Sequence, residues 1–214
     1  MRYYFRDQLI PKASSCKYLG IIIRSILNWA DHVNYTQRKA WKALHFIMRI
    51  LKRGNNNTKH LAYTALVRPI LEYEAVCWDP YWGQVRALNR VQKRVANFAN
   101  NINESGWETL AQHRLIAWIC TLFKAYTGGW AWKAIGDRLL IPCYLSRNDY
   151  NWKIRTRKHT TDVGKYSIIN RTIKSWNQLP AGLLASFPCK LNMFWKRVKN
   201  VVKSKGNQVG IECK

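Results

Sequence analysis

Apolar residues along this chain change their spacing at about Asp31. Ahead of that point Tyr3 to Ile10 reads as one strand, Pro11 to Ser15 as a turn, and Lys17-Tyr18-Leu19-Gly20-Ile21-Ile22-Ile23 as a second, buried strand of β-branched residues. A hairpin of two strands buries too little surface to be stable alone, so the pattern implies a sheet that the chain does not itself contain. From Asp31 onward Val33, Gln37, Ala40, Leu44, Ile47 and Leu51 step three and four residues apart, the period of one helical face. Gly54 and the three asparagines after it end that helix. Thr58 is the expected cap of a second one through Leu61, Ala65 and Leu66, which Pro69 should kink or split.

The spacing predicts a third helix over Gln84 to Asn100, with Leu88, Val91, Val95 and Phe98 on one stripe. It predicts a fourth over Glu108 to Tyr126, with Leu115, Ile119, Leu122, Phe123 and Tyr126, closed by Gly128-Gly129. Amphipathic helices with short connections form a bundle. Beyond Gly129 the pattern is irregular. Helical period returns at Ser167 to Gln178, stops at Pro180, and resumes from about Pro188 to Lys203 with Leu191, Phe194, Val198 and Val201 in register. The last residues, from Ser204, read as a frayed tail. The fold expected is mainly α, a basic helical bundle preceded by a short β-hairpin, with an irregular and helical C-terminal region. Any domain boundary is expected near Gly128-Gly129.

Charge adds the functional dimension. The chain carries 36 Lys and Arg against 11 Asp and Glu, a formal net charge of +25 over 214 residues, interleaved with 11 Trp, 11 Tyr and 6 Phe. Such a surplus suits a surface that lies against phosphates and bases. The candidate contacts are Arg38, Lys39, Lys42, Arg49 and Lys52 on the first helix, and Arg90, Lys93 and Arg94 on the third. Lys153, Arg155, Arg157 and Lys158 lie in a basic loop over residues 151–165. Trp29, Trp41, Trp78, Trp118, Trp176 and Trp195 fall in or near apolar stripes and read as core. Trp130, Trp132 and Trp152 lie in the irregular basic region and are the stacking candidates. The expected partners are RNA, an RNA-DNA hybrid or a DNA backbone. No stretch approaches the ~20 apolar residues of a membrane span, and no secretion signal is seen, so an intracellular chain without membrane attachment is expected.

The same residues speak against several chemistries. Cys16, Cys77, Cys120, Cys143, Cys189 and Cys213 form no Cys-x-x-Cys pair, and the five histidines supply no close partners for them, so free thiols and no zinc site are expected. Two-metal catalysis needs converging carboxylates. Glu104 and Glu108 instead flank a helix start, and Glu72 and Glu74 read as partners for nearby arginines. There is no Gly-rich phosphate loop, nucleophile elbow or zinc helix. No cofactor, metal or catalytic residue is expected.

Taken in order, Lys17-Tyr18-Leu19-Gly20, Leu27-Asn28-Trp29 with His32, Leu66-Val67-Arg68-Pro69-Ile70-Leu71-Glu72-Tyr73, Trp78-Asp79-Pro80-Tyr81 and Val91-Gln92-Lys93-Arg94 resemble the region downstream of the catalytic palm in reverse transcriptases of jockey-like non-LTR retrotransposons. Lys153-Ile154-Arg155-Thr156-Arg157, Thr161 to Ser167, Asn170-Arg171-Thr172-Ile173 and Trp176-Asn177-Gln178-Leu179-Pro180 resemble the C-terminal segment of such elements. The resemblance implies that residues 1–23 are the end of a palm with its hairpin, 24–128 a thumb-like helical bundle, 129–203 a C-terminal extension and 204–214 a tail. In that family an aromatic-Ala-Asp-Asp turn precedes the Lys-Tyr-Leu-Gly strand, and this sequence contains no adjacent aspartates. At Glu74 the family implies a small residue. A thumb tracks a primer-template duplex through its backbone. The expected function is therefore a nucleic-acid-binding part of an RNA-directed DNA polymerase without activity of its own. The alternatives are a part that completes a reverse transcriptase with a palm domain in cis or in trans, and a decayed fragment.

Overall fold

The apolar run from Lys17 to Ile23 does not stay extended. In the computed structural model, which describes residues 3–10, 12–80, 82–99, 108–128, 136, 139, 152–155, 167–184 and 189–206, it folds back at Leu19-Gly20. Strands β3 (Ser15–Tyr18) and β4 (Ile21–Arg24) pair antiparallel, with Tyr18 opposite Ile21 and Ser15 opposite Arg24. Leu19 and Gly20 have φ of 45° and 83°, the two left-handed positions of a turn whose twist matches a hairpin. A Cβ at Gly20 would also lie 3.2 Å from the Tyr73 ring, a tight approach that the ring would have to ease by a small shift. Tyr3 to Ile10 is likewise a hairpin, β1 (Tyr3–Phe5) with β2 (Gln8–Ile10), and not one strand. Alternation reports which face a residue takes, and it is the same for one strand as for two joined by a two-residue turn.

The chain is mainly helical after these hairpins and divides into two compact units, Met1–Glu104 and Ser105–Lys214. That division lies ahead of Gly128-Gly129, and the helix expected to complete the first bundle belongs to the second unit.

In the first unit α1 (Ala30–Ile50) buries His32, Val33, Thr36, Ala40, Leu44 and Ile47. Its first-turn Ala30 N–H donates to the Asn28 side chain at 2.8 Å. Helix α2 (Asn56–Ala62) is capped by Asn55, whose side chain accepts from the Thr58 N–H at 2.7 Å, so an asparagine takes the role expected of Thr58. Pro69 does not split the next helical run, and the disturbance expected of it takes the form of a change in helical period: a π-helical turn over Tyr63–Val67 leads directly into the short α3 (Arg68–Glu72). The missing Pro N–H falls where a helix start leaves that donor unpaired in any case. Helix α4 (Trp82–Phe98) buries Leu88, Val91 and Val95 and packs on α1. Lys59, although buried, holds its ammonium 4.6 Å above the Phe98 ring, which offsets part of the loss of water.

In the second unit α5 (Leu110–Tyr126) opens with a reciprocal cap: Thr109 accepts from the Gln112 N–H, and the Gln112 side chain accepts from the Thr109 N–H. It packs against α6 (Ile168–Asn177) and α8 (Leu191–Gly206), with α7 (Ala181–Leu184) between the last two in sequence. Phe123 and Phe194 stack with centroids 4.3 Å apart, and Trp176 and Phe194 are fully buried beside Ile119, Ile154, Leu184 and Val198. Burying a large apolar side chain this completely contributes roughly 1.5–3 kcal/mol.

Candidate nucleic-acid interface

At one end of the first unit residues from four of the ordered motifs, Leu19, His32, Tyr73 and Trp78, meet. His32 on α1 is buried, and its Nδ1 accepts the Ile22 N–H of β4 at 3.3 Å. Its ring meets Trp78 edge-on with centroids 4.7 Å apart. Burial lowers the His32 pKa, which keeps the imidazole neutral and Nδ1 free to accept. Trp78 donates from Nε1 to the Tyr73 carbonyl at 2.9 Å, and Tyr73 donates its hydroxyl to the Leu19 carbonyl at the hairpin tip at 3.1 Å. Asp31 pairs with Arg24 at 3.2 Å, which ties the other end of β4 to α1. The hairpin, the start of α1 and the segment from Tyr73 to Trp78 thus meet and fix the hairpin on the helices. Strand β3 lies outermost, with all four residues exposed.

The basic residues expected to bind nucleic acid in this unit, Arg38, Lys39, Lys42, Arg49, Lys52, Arg90, Lys93 and Arg94, are all exposed. Arg38, Lys42 and Arg49 share the face of α1 opposite its buried stripe, and Arg90, Lys93 and Arg94 lie on the face of α4 turned away from Leu88, Val91 and Val95. The structure therefore sets out two outward stripes on two helices, not a single pocket. Lys52 follows the end of α1. None of the eight makes an ion pair among the described residues, and three acids of the unit are engaged elsewhere. Asp31 holds Arg24, Glu72 holds Arg68 at 2.8 Å, and Glu74 accepts from the Cys77 thiol at 3.7 Å. Like charges four residues apart, Arg38 with Lys42 and Arg90 with Arg94, each cost an isolated helix roughly 0.2–0.5 kcal/mol. A bound polyanion removes that cost. Phe46, which lies between Lys42 and Arg49 in sequence, is 51% exposed.

In the second unit Ile154 is buried, and the Asn177 side chain brackets its backbone, accepting from the Ile154 N–H at 3.1 Å and donating to the Ile154 carbonyl at 2.8 Å. That bracket substitutes for a neighbouring strand and directs Lys153 and Arg155 to the side away from Ile154. Arg155 is exposed and Lys153 half-buried; Arg157 and Lys158 lie outside the described residues. Trp152, expected as a stacking platform, packs edge-on against Tyr126 at 5.6 Å, and its carbonyl accepts from Trp176. Trp130 and Trp132 lie outside the described residues. Trp78 and Trp176 are core as expected, whereas Trp195 is 40% exposed, because Phe194 takes the inward position beside it on α8.

Glu108 does not cap α5; Thr109 does. The Glu108 carboxylate instead lies against His113 and accepts from Lys199 at 2.9 Å and Lys203 at 2.6 Å. Burial alone would raise this carboxyl, but the bonds from Lys203 and Lys199, with His113 beside them, bring it down to about 2. Glu72 pairs with an arginine as expected, while Glu74 does not. Cys77 is pushed up by partial burial and by Glu74, the opposite of an activated thiolate. Among the described residues no group of three or more His, Cys, Asp or Glu converges on one point, and no helix is long and apolar enough to cross a membrane. Compared with known protein families, curated proteins and solved structures, the chain finds no match in any of the three.

Proposed function

We propose that this chain is an intracellular nucleic-acid-binding module of the kind that follows the palm in a non-LTR reverse transcriptase, gripping the backbone of RNA or an RNA-DNA hybrid without polymerase activity of its own. The observation that carries the reading is the set of eight exposed, unneutralised basic side chains on the outer faces of α1 and α4. Phosphate contacts of that type need charge and shape and carry little sequence information. The meeting of Leu19, His32, Tyr73 and Trp78, from four of the motifs, at one joint adds support, since it gives those four a common physical purpose. A second reading, a part that completes a reverse transcriptase with a palm in trans, is favoured by the outermost β3 strand and the exposed Tyr18, Leu19 and Tyr73 around the hairpin tip.

The test is a salt series of binding to a labelled RNA-DNA hybrid, single-stranded RNA and duplex DNA. A steep fall of log affinity with log salt is expected, with the hybrid bound more tightly than duplex DNA. Arg38→Gln and Arg90→Gln should each flatten the slope on duplexes by about 0.9. Absence of binding by a folded sample at low salt, or primer extension by the purified chain, would overturn the proposal.

A further inference from the structure

On α8 the residues Asn192, Lys196, Lys199 and Lys203 follow one another at spacings of four, three and four, which places them on one face, turned away from the buried Phe194, Val198 and Val202. Trp195 flanks this face, 40% exposed, and Lys199 sits 4.9 Å over its ring. Two of the three lysines already hold an anionic oxygen: Lys199 and Lys203 reach the same Glu108 oxygen, Oε1, at 2.9 and 2.6 Å. The spacing on this helix therefore suits two ammonium groups closing on one acidic oxygen, as a phosphate would present it. The apolar face that an interfacial helix would sink into a membrane is spent in the core, with Phe194 and Val198 fully buried.

We propose that the outward face of α8 is a second nucleic-acid contact, for a single-stranded segment, in which Lys196, Lys199 and Lys203 meet phosphates, Trp195 stacks a base, and Glu108 competes with phosphate for two of the lysines. This contact rests on the nucleic-acid reading of the chain and extends it to a helix none of whose residues was a candidate in the sequence. Glu108 acts as a limiter: with the carboxylate in place only Lys196 offers an unopposed charge.

The experiment is the same salt series on the full chain, with single-stranded RNA, single-stranded DNA, an RNA-DNA hybrid and phosphatidylserine vesicles as probes. Lys196→Gln should flatten the single-strand slope by about 0.7, and Glu108→Gln should steepen it by up to about 1.4, one contact for each released lysine. Trp195→Ala should weaken both single strands about fivefold or more and leave the hybrid unchanged. If the wild type binds, Arg38→Gln and Arg90→Gln weaken it, and the three α8 variants behave as wild type, the α8 contact is wrong and the broader reading stands. A wild type that binds no nucleic acid overturns both. Loss of vesicle binding in Trp195→Ala with RNA binding intact replaces the nucleic acid with a lipid surface. Should Glu108→Gln unfold the second unit by near-ultraviolet circular dichroism, the Lys196 and Trp195 variants decide the outcome.

Discussion

Around the hairpin of the first unit the contacts are largely polar and partly exposed: His32 accepts a backbone N–H, Trp78 and Tyr73 donate to carbonyls, and Arg24 pairs with Asp31. In the second unit the centre is aromatic, Phe123 on Phe194 with Trp176 and Tyr126 alongside, and hydrogen bonds serve its margin. Exposure runs the other way. Tyr18, Leu19, Ile26, Leu27, Phe46, Ile50, Leu61, Leu66 and Tyr73 are exposed in the first unit, against Ile169, Met193 and Trp195 among the described residues of the second. A joint made of single hydrogen bonds, each worth ~1 kcal/mol net, is easier to open than an interlocked aromatic core. Among the described residues the first unit therefore leaves more of its large apolar side chains exposed, and the second buries more of its own.

The sharpest way to break this comparison is Trp176→Ala. It empties a fully buried site and removes the donor to the Trp152 carbonyl at 2.8 Å, with an expected loss of ~3–5 kcal/mol. Hydrogen exchange should place that loss in α5, α6 and α8 and leave protection in α1 and α4 as it was. Loss of protection in both units would show that they are not separate in stability.

A smaller effect is expected at Glu108. Its carboxyl titrates at about 2 in the folded chain against 4.5 as the ordinary value, so the folded state holds its proton less tightly than the unfolded one. The stability this provides is complete above pH 4.5 and is lost as pH falls through about 2. Glu108→Gln should cost ~1–2 kcal/mol, discounted because Lys203 is half-exposed, and should remove that acid dependence from urea unfolding of the second unit.

The smallest effect falls on the hairpin. His32 is buried neutral and its pKa is lowered, so the unfolded chain takes up the proton first as pH falls. The first unit should hold its full stability above pH 6.5 and lose part of it below, because the unfolded chain gains a proton there that the buried imidazole does not. His32→Asn, which cannot titrate, should flatten this dependence in hydrogen exchange of β4, and His32→Ala should cost ~1 kcal/mol at neutral pH. Unchanged exchange of Ile22 in His32→Ala would remove the polar joint from the account of the first unit.

Much of the helical architecture was legible because each stripe is local. Val33, Ala40, Leu44 and Ile47 declare the inner face of α1 by spacing alone, and the basic face follows as its complement. Pro69 declared a disturbance of its helical run through the donor it lacks, whereas the cap of α2 was expected at Thr58 and lies at Asn55. Glu74 is instructive in another way: it sits at φ 48°, a left-handed position that glycine occupies at lower cost. What stayed hidden involved partners distant in sequence. The Asn177 bracket around Ile154 spans 23 residues, and the Tyr73 bond to Leu19 spans 54. Neither leaves a periodic trace.

By itself, then, the order of residues determined the helical faces, the charge they carry and the exposure of the basic stripes, since each depends on neighbours within a few turns. The tertiary structure alone decided that α5 joins the C-terminal unit, that Trp195 faces outward, and that Glu108 meets lysines on α8 in place of capping its own helix. The physical reason is common to all three. A helix has one inner face but several candidate surfaces to press it against, and which one it takes depends on volumes and charges brought together only when the chain has folded.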